Sequence, residues 1–127
     1  MEKEQILKEL GVDWNMNTLA VWRRAEFKCE YCRKSLTDKS EEYYFDSHMD
    51  HIVPKGGNEI DNFALACKAC NFIKRNRDFR RDDAPNTRSA LIERAAIYIA
   101  GIRERNRGRL KRDLELLRQL EQLENQG

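Results

Sequence analysis

Cys29-Glu30-Tyr31-Cys32, His48-Met49-Asp50-His51-Ile52-Val53-Pro54 and Cys67-Lys68-Ala69-Cys70 are the segments that decide the reading of this chain. All 4 cysteines sit in the two CxxC knuckles, and both histidines fall between them. Sulfur pairs at this spacing close readily around one tetrahedral zinc. The competing readings are unliganded thiols or a redox pair. A redox CxxC normally stands alone where a strand runs into a helix, so two knuckles argue for metal. Four thiolates leave no open coordination position, so such a zinc holds the fold and performs no chemistry.

Working outward, the composition makes the same demand. The chain has 127 residues, 40% hydrophobic and 36% charged, which is a thin supply of core for one domain with an appendage. Small charged domains need a staple, and a structural zinc supplies one worth roughly 10–16 kcal/mol. Met1-Glu2-Lys3-Glu4 has no apolar run behind it, and the run Ala95–Ala100 is too short to cross a bilayer. The expectation is an intracellular, cytoplasmic protein with no targeting signal, where paired CxxC motifs mean metal rather than disulfide. Net charge is only +2. The positive charge is local, however, around Lys68, Lys74, Arg75, Arg77, Arg80 and Arg81, and again from Arg103 to Arg112. Local clusters matter more for phosphate binding than the sum does.

The pattern predicts a helix over Glu2–Leu10 stopped by Gly11, and a second through about Glu26 capped by Asn17-Thr18. Tyr43-Tyr44-Phe45 is expected to open a strand running to Ile52, ended by Pro54 and Gly56-Gly57. Cys67 to Arg77 reads as a knuckle opening onto a helix. Trp14 and Trp22 are expected in the core. Asp82–Asn86 is a break, dividing the chain into 1–83 and 84–127. Beyond it Leu91, Ala95, Ile99 and Ile102 recur at helical spacing; Gly108 is a candidate kink or stop, and Leu110, Leu114, Leu117, Leu120 and Leu123 continue. Packing on the core and self-association into a homodimer are both open for the leucine part.

Asp50 offers a carboxylate to a hard cation such as magnesium, and the adjoining His51 is suited to take a proton from water, as free imidazole titrates near about 6.5. Asn71, directly after Cys70, adds a second oxygen ligand. Lys74 and Arg75 follow three and four residues later, on the face that Asn71 occupies. One oxygen ligand and two cations presented together suit a phosphodiester. For the two cations alone, a solvated basic helix is the plainer explanation.

CxxC, then DHIVPKGG, then Asn62, then CxxCN with a lysine three residues on, resembles the HNH endonucleases of the ββα-metal, treble-clef class. The resemblance covers about Leu19 to Arg81. It implies an α+β fold: a small zinc-stabilised ββα-metal core with a flanking N-terminal helix and a C-terminal helical extension. It implies that Cys29, Cys32, Cys67 and Cys70 hold the structural zinc and that His51 is the general base. It implies that Asn62 ties the loop ends together through backbone hydrogen bonds, and that Asn71 ligates a catalytic cation with Asp50. The third letter of the family motif is Asn here, so the chain reads H-N-N, which favours magnesium or manganese. His48 lies on the face of Asp50, where it could reach the cation, contact a phosphate or fill the strand. Lys74, Arg75 and Arg77 are the expected nucleic-acid contacts. The activity implied is metal-dependent hydrolysis of DNA, with RNA open as a substrate and low sequence selectivity. Two rivals share the cysteines: a zinc-dependent nucleic-acid-binding module without catalysis, and a protein-interaction treble clef working through the leucine tail. The first has no use for Asp50, His51 and Asn71 together, and the second predicts no metal-dependent nicking and normal function without the charges of Lys74, Arg75 and Arg77.

Overall fold

Two short strands and one short helix, gathered around the cysteines, carry the architecture. The computed structural model describes residues 1–126. Strand β1 (His48–His51) pairs antiparallel with β2 (Phe63–Ala66), with Asp50 opposite Ala64 and His51 opposite Phe63. Helices α1 (Lys3–Leu10), α2 (Met16–Arg24) and α3 (Glu41–Phe45) precede the strands, and α4 (Lys68–Lys74) and α5 (Arg88–Gln126) follow them. This is the small ββα core with four clustered cysteines that the sequence leads one to expect.

Side-chain caps explain two corrections. Helix α2 starts earlier than expected: Asn15, not Asn17-Thr18, is its cap, and the Asn15 side chain accepts from the Thr18 amide at 2.9 Å. The Tyr43–Phe45 aromatics do not open a strand. Ser40 caps them into helix α3 by accepting from the Tyr43 amide, so the strand begins only at His48. Helix α4 also stops short of Arg77, because Arg75 leaves it with φ at 51°.

One buried cluster joins all the layers. Val21 and Trp22 of α2, Leu36, Ile52, Ala64 to Ala66 of β2, three cysteines, and Leu91, Ala95 and Ile99 of α5 form it, with Trp14 partly buried against it. Glu30, inside the first knuckle, stitches these layers together. Its carboxylate accepts from the Leu65 amide at 2.7 Å and pairs with Arg88 of α5 at 2.8 Å, while its own amide donates to Leu65 O at 2.8 Å.

Helix α5 runs without a break through Gly108. Only its first part is anchored; Leu110, Leu114, Leu116, Leu117, Leu120 and Leu123 are 49–66% exposed. Among the described residues, no helix is long and apolar enough to cross a membrane.

Candidate active site

Both knuckles are shaped by amide-to-sulfur bonds. Cys32 N donates to Cys29 Sγ and Cys70 N to Cys67 Sγ, each at 3.5 Å, so the second knuckle doubles as the cap of α4. The four sulfurs lie within 4.8 Å of one another, with Cys32 Sγ and Cys67 Sγ 3.8 Å apart. Tetrahedral zinc with bonds of about 2.3 Å requires sulfur separations of about 3.8 Å. The cluster therefore fits one closed structural ion. Among the sulfurs, hydrogen bonding with Cys29 and its neighbours pushes the Cys32 thiol down and the Cys70 thiol up. Arg103 of α5 reaches Cys70 Sγ at 3.6 Å. Burial works against its charge, but the charge and hydrogen bond of Cys70 prevail and raise the guanidinium's pKa.

An open cleft lies beside this cluster. It is lined by His48, Met49, Asp50, His51, Pro54, Lys55, Asn71, Phe72, Arg75 and Asn76. Strand β1 contributes Asp50 and His51, and the first turn of α4 contributes Asn71. The sequence-expected trio thus shares one concavity, and His48 stands exposed at its wall.

Asp50 is only 6% exposed, and its two oxygens have different surroundings. The Tyr31 hydroxyl donates to Oδ2 at 2.6 Å, and the Lys74 ammonium sits 3.0 Å from the same oxygen. Among the described residues, both of these contacts fall on Oδ2 and none on Oδ1. Burial first, and then the charge of Asp50, push the Tyr31 phenol well above the ordinary tyrosine range, so it remains a donor.

His51 Nε2 lies 2.9 Å from Asn58 Oδ1. An amide oxygen only accepts, so Nε2 is the donor in this pair and Nδ1 is the ring nitrogen outside it. The His51 ring also packs on Phe63, with centroids 4.7 Å apart. Asn62 closes the loop that carries Asn58. Its Oδ1 accepts from Val53 N at 2.9 Å, and its Nδ2 donates to Val53 O at 3.1 Å and to Gly57 O at 2.9 Å.

Lys74 requires a correction. It was expected at the nucleic-acid surface, and it is 0% exposed. It is the last residue of α4, and its side chain runs beneath β1, where the ammonium meets Asp50 Oδ2 and donates to His51 O at 3.0 Å. Lys74 and Arg75 therefore do not share a face. Arg75 lines the cleft and lies over the ring of Phe72, 4.4 Å from its centroid. Arg77 lies 4.6 Å over Tyr98 of α5 instead. Sequence reasoning missed Tyr31, Asn58 and Glu30. Tyr31 and Glu30 were in view between Cys29 and Cys32, and Asn58 follows the Gly56-Gly57 turn, but the partner of each lies elsewhere in the chain.

A four-sulfur knuckle pair thus stands with a ββα cleft that bears Asp50, His51 and Asn71. Residues 29–77 match the HNH endonuclease family. The chain is 29% identical over 85 residues, 60% of its length, to the CRISPR-associated endonuclease Cas9 of Corynebacterium diphtheriae. It is 37% identical over 57 residues, 41% of its length, to the SPbeta prophage-derived protein YoqL of Bacillus subtilis, whose name assigns it provisionally to the HNH endonucleases. The matched regions span only 7% and 25% of those relatives.

Proposed function

We propose that this protein is a metal-dependent endonuclease that hydrolyses DNA phosphodiester bonds, with an HNH core over 1–83 and a helical extension over 84–127. The observation that carries the reading is the meeting of Asp50, His51 and Asn71 in one open cleft beside the four-cysteine cluster. The family match and the nuclease names of the relatives support it. The four cysteines hold a structural zinc.

Asp50 through Oδ1 and Asn71 through its amide oxygen would hold Mg2+ or Mn2+, since hard oxygen donors suit hard ions. Such an ion, when bound, neutralises charge that builds on the phosphate and the leaving oxygen. His51 takes the proton of the attacking water at Nδ1, because Asn58 occupies Nε2. Tyr31 and Lys74 hold the other Asp50 oxygen, so the carboxylate does not swing. Asn62 keeps the Val53–Asn62 loop closed and Asn58 in reach of the base. Lys55 and Arg75 supply positive charge at the cleft for the phosphate backbone. The exposed face of Phe72, 61% accessible, offers a base a stacking surface.

The test is plasmid nicking with magnesium, with manganese and with chelator, on wild type and His51→Ala in parallel, with zinc content measured throughout. The expected result is cation-dependent nicking by wild type alone, with duplex binding retained in both. Wild type that binds duplex without nicking it under any cation defines a binding module and overturns the proposal. Nicking that survives in His51→Ala overturns the assignment of the base.

A further inference from the structure

The charge around the cleft is unusual for a cation site. Its one carboxylate, Asp50, already faces the buried ammonium of Lys74 at 3.0 Å, and Lys55 and Arg75 add two more positive charges at the wall. Asn71, His48 and His51 contribute no formal negative charge. A divalent cation entering the cleft therefore meets one negative charge, Asp50, against the three positive charges of Lys74, Lys55 and Arg75. Magnesium is commonly held by one or two carboxylates together with substrate phosphates. Here the protein's own share is reduced further, because Lys74 cannot turn away: it is 0% exposed and is also held by His51 O.

We propose that Lys74 is a built-in counter-ion that makes the cleft a poor cation site by itself, and that a phosphate of the bound nucleic acid is the missing negative ligand. The cation and the nucleic acid then enter as a cooperative unit. The inference rests on the nuclease reading above. Coupling of this kind is reciprocal, so the factor by which duplex tightens the cation equals the factor by which the cation tightens duplex. The device keeps the centre without its cation until a phosphate arrives, and it places Lys74 as a positioning and tuning residue rather than a catalytic one.

The test uses the full zinc-loaded chain carrying His51→Ala, so that duplex survives. Binding of Mn2+ is followed by loss of the free-ion paramagnetic resonance signal, with and without a saturating short duplex, and with duplex alone as the blank. Duplex binding is followed by fluorescence anisotropy with and without Mn2+ at constant ionic strength. The expected result is at least tenfold tighter Mn2+ in the presence of duplex, the same factor for duplex in the presence of Mn2+, and no coupling in Asp50→Ala. Lys74→Gln, checked for helix content and zinc, should bind Mn2+ several-fold more tightly than its parent when free of duplex. Equal Mn2+ affinity with and without duplex overturns the proposal, whether or not Lys74→Gln folds. A folded Lys74→Gln with unchanged Mn2+ affinity overturns the role given to Lys74. Duplex binding with no Mn2+ uptake in either state sinks the metal-nuclease reading itself.

Discussion

Replacing Asn62 by alanine should cost about 2 kcal/mol of folding stability. Three hydrogen bonds are lost, those to Val53 N, Val53 O and Gly57 O. The two to Val53 are part-buried, and a net value of about 1 kcal/mol each is the usual figure; the third is exposed and adds little. A loss of about 2 kcal/mol lowers the folded-to-unfolded ratio roughly thirtyfold. Urea denaturation of the zinc-saturated protein measures it, and the midpoint should fall with little change in slope. Asn62→Asp should do no better. It keeps the acceptor for Val53 N, but it loses both donations and turns a carboxylate toward two carbonyl oxygens. Activity should fall more than stability explains, even where the variant is fully folded, because the released loop carries Asn58 and with it the orientation of His51. Either a stability loss under 0.5 kcal/mol, or a fully active variant with the expected loss, would refute this reasoning.

Cys29→Ser, or removal of zinc by a strong chelator, should unfold the core and release α5 together with it, because Leu91, Ala95 and Ile99 share a buried cluster with the cysteines; circular dichroism during zinc titration follows this. Gly56→Ala should destabilise by about 1–3 kcal/mol in thermal melts, since an added Cβ would lie 2.9 Å from both Cβ and O of Val53 and the turn must shift. Tyr31→Phe deletes a 2.6 Å bond to a carboxylate and should cost about 1.5–3 kcal/mol in denaturant melts. The Tyr31 pKa is raised in the folded state, so its contribution is complete below the unfolded value near about 10 and declines as pH rises above it. Wild type should therefore lose stability above that pH relative to Tyr31→Phe, and parallel pH–stability curves would count against the buried phenol.

The knuckles were legible because CxxC spacing leaves the chain few alternatives, and the cysteines meet as the spacing requires. Asp50, His51 and Asn71 were legible as a set because each adjoins a feature that fixes it locally: a strand for the first two, a knuckle for the third. Misreadings came where local signals competed. The aromatic run Tyr43-Tyr44-Phe45 has strand propensity, yet one serine hydroxyl three residues before Tyr43 was enough to cap a helix. Gly108 breaks nothing, since a lone exposed glycine costs a helix only about 1 kcal/mol. The fate of Lys74 was hidden because its partners, Asp50 and the His51 carbonyl, lie more than twenty residues back along the chain. Helical spacing can put a residue on a face, but it cannot say that a carboxylate waits beneath that face.

Helix α5 is fastened to the core near its beginning, through Leu91, Ala95 and Ile99 in the buried cluster, Arg88 on Glu30 and Arg103 on Cys70. At 1.5 Å per residue, the portion beyond Arg103 reaches roughly 35 Å further. A tilt of about ten degrees at the anchorage would swing the tip by about 6 Å on that geometry. The helix is thus a lever whose fulcrum is the cysteine cluster, and a load applied at its far end would be felt at that cluster rather than dissipated in a loop.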